Sequence, residues 1–371
     1  MVAKRKMSAG KSHMTKSIRP DFKGGVNKTT TKSLLPVNYA SKTDRGLVRE
    51  NNEDRCFCSG KDGLFMIADG VGGHRAGEVA SMSATKYISE FLKGRNISRL
   101  SSLNHTSSYS SFNADKESIS KILNDALRLA NENINSKSEN DSRLRGMGAT
   151  IILTLISNDN DFYVINLGDS RAYLISNDNS TIDNNEGQKR QEKDDGRYNI
   201  IQLSEDHSLV AEMARKGYIT EEEARTHPLK NRITQYLGMD SDPMPFIKRL
   251  VWKKGDYLLL CSDGLTDMLD KKEICSTIFK KHQNENEKKM TDKNGFLQKS
   301  CEELVRKANE KGGKDNVTVI LVQNIGIDRV GRTIETKNPE NEERATPATI
   351  SAVEKTTHPK RKREDTFEEI K

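Results

Sequence analysis

The chain predicts an α+β fold, with antiparallel sheet inside and helices packed against it. Three features carry that reading. Short apolar runs recur and end in Gly, Asp or Asn, as strands do. Longer segments space their apolar residues three and four apart, as amphipathic helices do. The two kinds of segment are mixed without the steady strand–helix alternation of a parallel doubly wound sheet.

Taken in order, regular structure begins near Val37. "DRCFC" and "LFMIAD" are two strands joined by an "SGKDG" turn. After Gly77, "EVASMSATKYISEFL" has helical spacing, and residues 94–117 form a Ser/Asn-rich loop or insertion. A second helix over "SISKILNDALRLANENI" puts Ile119, Ile122, Leu123, Ala126, Leu127, Ala130 and Ile134 on one face. "TIILTLI" is a strand, and "FYVINLGDSRAYLI" is two strands bent at Gly168-Asp169. Residues 176–197 are a polar low-complexity insertion. "NIIQLSEDHS" leads from a strand into two short helices, the second opened by a Thr220/Glu223 capping box. Strands resume over 246–261, a helix starts at Asp270, and a third polar insertion fills 283–296. Ser300 with Glu303 caps a helix that stops at Gly312-Gly313, and "NVTVILVQ" is the last buried strand.

Composition bounds the rest. Of 371 residues, 33% are hydrophobic and 31% charged, with a mean hydropathy of −0.77. That balance fits one folded core, residues 38–325, diluted by polar appendages. The formal charge of +7 is uneven. Residues 1–37 carry nine Lys/Arg against Asp21, whereas 326–371 balance ten against ten, so the core is nearly neutral. Both ends read as disordered tails, and the basic pI gives no case for nucleic-acid binding outside them. The cysteines, Cys56, Cys58, Cys261, Cys275 and Cys301, are odd in number and form no C-x-x-C pair. They argue for a reducing, intracellular setting and against a disulfide framework or structural zinc. No run is long enough to span a membrane, and the basic N-terminus lacks the apolar stretch of a secretory signal.

The polar ends of the apolar runs carry the chemistry. Asp69 follows "LFMIA", Asp263 follows "LLLCS", Asp169 sits in the bend of "INLGDSR", and Asp315 precedes "NVTVILV". Glu53-Asp54 lie just before "RCFC". Carboxylates gathered at one sheet rim repel one another unless divalent cations lie between them. An all-oxygen set suits Mg²⁺ or Mn²⁺. Taken singly, each Asp-Gly is an ordinary turn dipeptide, and Arg49 is an ordinary surface arginine beside Glu50 and Glu53.

The ordered set is far more specific. "DRGLVRENNED", "ADGVGGHRAGEVAS", "GMGAT", "NLGDSRAYLI", "LSEDHSLV", "LLLCSDGLTDM" and "GGKDNVTV" follow one another between residues 41 and 322. Together they resemble the metal-dependent PP2C (PPM) family of serine/threonine protein phosphatases, most closely its stand-alone bacterial type. The resemblance implies a β-sandwich of two antiparallel sheets flanked by helices on both outer faces. It implies two Mn²⁺ or Mg²⁺ ions and a third, weaker one. Asp69 is then the carboxylate bridging both metals, with Gly70 giving a backbone oxygen. Asp263 and Asp315 match ligands of the first metal, Glu53 and Asp54 the water-mediated pair of the second, and Asp169 the third. Arg49 matches the phosphate-binding arginine. The implied reaction is attack on phosphorus by a metal-bridging hydroxide, in line with the seryl or threonyl oxygen and without a covalent phospho-enzyme.

One position departs from the pattern. Many eukaryotic members have a histidine directly after the Asp-Gly, and here Val71 stands there. His74 and a metal-bound water are the two candidates for the proton given to the leaving oxygen. Residues 205–238 resemble the family's flap beside the active site. The implied partners are phosphoserine or phosphothreonine proteins made by a Ser/Thr kinase, met by a monomer in the cytoplasm. "KRKR" at 360–363 would allow nuclear targeting in a eukaryote, against a plain solvated tail.

Other readings fail on spacing. No cysteine is followed, after five intervening residues, by the arginine that a cysteine-based phosphatase needs. "RKMSAGKS" lacks the first P-loop glycine and a preceding strand, and Arg75 stands where a dinucleotide fingerprint needs its third glycine. A catalytically dead, phosphoprotein-binding relative would have lost acidic positions, and all are filled.

Overall fold

The computed structural model describes residues 35–73, 75–93, 109–157, 161–176, 198–279 and 293–326, all within one compact unit, Met1–Ile327. Two five-stranded sheets form its centre. The first runs β1 (Val37–Asp44), β12 (Val317–Asn324), β11 (Tyr257–Cys261), β8 (Arg171–Ser176), β9 (Asn199–Gln202). The second runs β10 (Phe246–Val251), β7 (Asp161–Leu167), β6 (Ile151–Ile156), β3 (Leu64–Ala68), β2 (Arg55–Ser59). Every pairing is antiparallel, and a short pair, β4 (Gly70–Val71) with β5 (Gly148–Ala149), stands apart.

The apolar runs are continuous because both faces of each sheet are covered. In β3, Phe65 and Ile67 turn inward onto Leu258, Leu260, Ile320 and Val322 of the facing sheet, in a layer closed by Trp252. The alternate residues, Leu64 and Met66, turn outward with Leu153, Ile165 and Leu167 onto α1 (Arg75–Lys93) and α2 (Tyr109–Asn140). On the other outer face, Leu259, Cys261, Val319 and Leu321 meet α6 (Lys271–Phe279) and α7 (Lys293–Glu310). The period of two within each strand thus serves two cores at once. This four-layer arrangement bears out the expected sandwich. Three short α-helices, α3 (Leu209–Arg215), α4 (Glu221–Thr226) and α5 (Asp263–Thr266), and a 3-10 turn at Ser142–Leu144 complete the described part.

The expected capping box is present: Thr220 Oγ1 accepts from the Glu223 N–H, and Glu223 accepts from the Thr220 N–H at 2.7 Å. Two boundaries differ from expectation. Helix α2 starts at Tyr109, inside the expected 94–117 insertion, since extending a nucleated helix costs little even for polar residues. Helix α7 starts at Lys293, so Ser300 is an interior residue and no cap; its hydroxyl turns to the Ile278 carbonyl. Leu297, Cys301, Leu304 and Ala308 form one fully buried stripe, which carries the helical period upstream of Ser300, and the helix itself reaches into the expected 283–296 insertion. Residues 94–108, 177–197 and 280–292, and the tails before Leu35 and after Gly326, lie outside the described residues. Leu35 itself is buried, so the folded part begins two residues before Val37. No described helix is long and apolar enough to cross a membrane.

Candidate active site

The strand register explains why scattered acidic residues meet. In the second sheet Arg55 pairs with Ala68, so Asp54, just before β2, and Asp69, just after β3, share one end. In the first sheet Cys261 near the end of β11 pairs with Val319 near the start of β12. Asp315, before β12, and Asp263, after β11, therefore share an end as well. The bend Gly168-Asp169-Ser170 carries the chain from β7 in one sheet to β8 in the other, so Asp169 stands at the crossing.

These side chains feel one another. Burial, then repulsion from Asp54, Asp263, Asp169 and Asp315, pushes the Asp69 carboxyl well above the usual carboxylate range. Burial, then Asp169 and Asp315, does the same to Asp263. Asp54 is raised to about 6 by burial, with Asp315 adding to it and Ser262 opposing. Asp169 is raised to about 6 by burial, with Asp206 adding and Arg171 opposing. Four raised carboxyls on one rim form a site short of positive charge.

Their surroundings are specific. Asp54 Oδ2 accepts from the Ser262 hydroxyl at 2.8 Å. Asp54 Oδ1, Asp169 Oδ1 and Asp263 Oδ1 are buried and have no hydrogen-bond partner. An unpaired buried carboxylate oxygen is costly, and a cation removes that cost. Glu53 joins through a gap that only glycine leaves. A Cβ at Gly77 would lie 2.1 Å from Glu53 Oε2 and 2.9 Å from the Gly70 carbonyl oxygen. Carboxylate and carbonyl thus approach one another in a cradle that a side chain would fill.

The residues fit divalent cations held largely through water. No group of three described His, Cys, Asp or Glu side chains closes as a ready metal cage. Asp54 and Asp315 accept from side-chain donors, and the oxygens without partners on Asp54, Asp169 and Asp263 are left for a cation. Mg²⁺ and Mn²⁺ keep several waters in such settings. Arg49 is one of those donors. Its guanidinium donates to Asp315 Oδ2 at 2.6 Å and also feels Glu53 and Asp69. It pairs with Asp315, distant in sequence, and half its surface stays exposed over the rim.

The glycines after Asp69 and Asp263 serve a purpose that the sequence did not disclose. A Cβ on Gly70 would come within 2.2 Å of the Gly77 carbonyl oxygen, and one on Gly264 within 2.0 Å of the Asn316 carbonyl oxygen. Both Asp-Gly corners are places of close backbone approach, not left-handed turns. Asn316 was also missed as a positioning residue. Its Oδ1 accepts the Glu53 N–H at 2.8 Å, while Nδ2 donates to the Arg45 and Asn51 carbonyls at 2.8 and 2.9 Å. One side chain so fixes the loop that bears Arg49 and Glu53. Its place beside Asp315 was the only signal.

Residues 205–238 lie beside this rim. At their root, Arg171 clasps the buried Asp206 through Nε and Nη2, Gln202 adds a 2.9 Å bond, and Arg215 donates to the Asp206 carbonyl. The Gly168 carbonyl accepts from the His207 N–H at 2.9 Å. Farther along, Lys230 donates to Asp267, one turn past Asp263, at 2.5 Å. His74 lies outside the described residues.

Comparison with known proteins agrees with the geometry. The family description "Protein phosphatase 2C" matches residues 46–298. The chain is 33% identical over 285 residues to a serine/threonine phosphatase stp of Listeria monocytogenes, covering 76% of this chain and 94% of that one. The solved serine/threonine phosphatase of S. agalactiae aligns with a TM-score of 0.59 and 29% identity, covering 77% of this chain and 99% of the other. The catalytic domain of the phosphatase PstP, solved in complex with two manganese ions, aligns with a TM-score of 0.54 and 28% identity over 77% of this chain and 97% of its own. Two antiparallel sheets, an acidic rim shared between them, and these likenesses lead to one assignment: the chain belongs to the protein phosphatase 2C family and is a serine/threonine protein phosphatase.

Proposed function

We propose that the domain spanning 38–325 hydrolyses phosphoserine and phosphothreonine in proteins in a divalent-metal-dependent reaction, by direct attack of water and without a phospho-enzyme. The observation that carries this reading is the convergence of carboxylates from both sheets on one rim, three with buried unpartnered oxygens, under an exposed guanidinium. Asp69 with the Gly70 carbonyl would be shared by two cations, Asp263 and Asp315 would serve the first, and Glu53 and Asp54 the second. Asp169 would hold a third. When bound, Mn²⁺ or Mg²⁺ supplies Lewis acidity, making water nucleophilic near neutral pH and offsetting phosphoryl charge.

The chain's own residues do the rest. Arg49 offers a planar fork to two phosphoryl oxygens and, tethered beside Asp315, brings them to the carboxylate rim. Asn316 keeps that arginine's loop in register with Glu53. A thiol nucleophile has no support: burial raises Cys56, Cys58, Cys261 and Cys301 above the ordinary thiol range. The substrates are products of Ser/Thr kinases, met inside the cell by a monomer.

The test is hydrolysis of a phosphothreonine peptide by EDTA-stripped protein with and without added Mn²⁺, repeated for Asp69→Asn and Asp263→Asn. Activity should require the metal and fall by about a thousandfold or more in both variants. Full activity in EDTA, or in either variant, would defeat the reading.

A further inference from the structure

Thr150 lies fully buried between β5 and β6, at the junction of the two aspartate corners. Its N–H donates to the Asp69 carbonyl at 2.8 Å, and its Oγ1 accepts the Asp69 N–H at 3.2 Å. The same oxygen lies 3.0 Å from Oγ of Ser170, which follows Asp169 and is also fully buried. A threonine hydroxyl has one proton and two lone pairs, so it can serve both neighbours at once. The methyl side is equally engaged. A Cβ at Gly168 would lie 2.5 Å from Thr150 Cβ and 2.6 Å from Cγ2, so Gly168, at φ +116°, packs bare against it.

This residue thus ties the corner at Asp69 to the crossing at Asp169, which otherwise belong to different strands 100 positions apart in sequence. Two carboxylates that repel, one on a backbone and the other beside a serine side chain that meet at one hydroxyl, keep a fixed separation. We infer that Thr150 is a positioning residue, whose hydroxyl sets the spacing of Asp69 and Asp169 for cation binding. The inference rests on the metal-site reading above. It deepens that reading by naming a group that touches neither cation nor phosphate.

Two variants separate hydroxyl from shape. Thr150→Val keeps the branched outline against Gly168 and removes the hydroxyl, and Thr150→Ser does the reverse. Each is stripped with EDTA, desalted and titrated with Mn²⁺ by calorimetry, then assayed on a phosphothreonine peptide at saturating Mn²⁺. For Thr150→Val, Mn²⁺ affinity should fall about tenfold, and kcat about ten- to a hundredfold at nearly unchanged KM. Thr150→Ser should stay within about threefold of wild type on both counts, since it keeps the bonds.

If Thr150→Val matches wild type, or if Thr150→Ser falls as far as Thr150→Val, the hydroxyl has no such role and the inference is overturned. Should Thr150→Val fail to fold, Ser170→Ala takes its place. A loss of Mn²⁺ affinity in that variant supports the inference, and an unchanged affinity overturns it. Wild type that binds no Mn²⁺ would sink the metal reading and this inference together. Wild type that binds normally beside an unaffected Thr150→Val would sink the inference alone.

Discussion

Asp54→Asn should stabilise the metal-free enzyme while impairing it. The Asp54 carboxyl is raised from 3.8 to about 6 in the fold, chiefly by burial and then by Asp315. A raised carboxyl means that the folded state binds more protons than the unfolded one between those two values. Its contribution is therefore intact below the unfolded value and is lost as pH rises through the folded one. Above about 6, the charged group is a net burden. A shift of roughly 2 units caps that burden at about 3 kcal/mol. Coupling to Asp69, which shares the repulsion, lowers the expected figure to about 1–2 kcal/mol. Asparagine keeps the bond from Ser262 through its own oxygen and offers an N–H₂ toward the neighbouring carboxylates. In EDTA at pH 7.5, thermal melting should place the variant about 2–6 °C above wild type, and the gap should close on acidification to about pH 4. Comparing the two proteins at each pH cancels the titration of groups remote from Asp54, while its neighbours Asp69 and Asp263 respond to the lost charge. Saturating Mn²⁺ should narrow or invert the order, because wild type gains more from the ion. A variant less stable than wild type in EDTA at pH 7.5, or an advantage that ignores pH, would refute the argument.

Other substitutions test other parts of the site. Arg49→Lys keeps the charge but loses the fork, so KM for a phosphothreonine peptide should rise about tenfold in steady-state kinetics, with the fold unaffected. Asp206→Asn weakens the clasp on the partly buried Arg171; denaturant unfolding should show a loss of about 1–3 kcal/mol. Gly264→Ala drives a methyl into the Asn316 carbonyl and should cost about 1–3 kcal/mol by the same measurement, with lower peptide turnover.

Much of the fold was legible because its strands are short, apolar and punctuated. Asp69, Asp169, Asp263 and Asp315 stood out because each is a charge at the edge of an apolar run, where burial and solvent meet. What stayed hidden depended on partners distant in sequence. Ser262 and Thr150 are ordinary hydroxyl residues until the register places Asp54 and Ser170 against them. Gly70 and Gly264 read as turn glycines, and only the opposite backbone shows that they make room for carbonyl oxygens. The start of α7 was misplaced because a Ser/Glu spacing looked like a cap, while Leu297 upstream already belonged to the buried stripe.

Ownership of the acidic rim has a consequence for how the molecule becomes competent. Asp54 and Asp69 come from one sheet, Asp263 and Asp315 from the other, and Asp169 from the crossover between them. Neither sheet alone carries the whole rim, so on the proposed reading a chain with its layers apart would lack the full set of ligands. Each bound ion would then work as a rivet through the sandwich. Hydrogen exchange at Phe65, Ile67, Leu258 and Leu260, which face one another across the seam, should slow when Mn²⁺ is added.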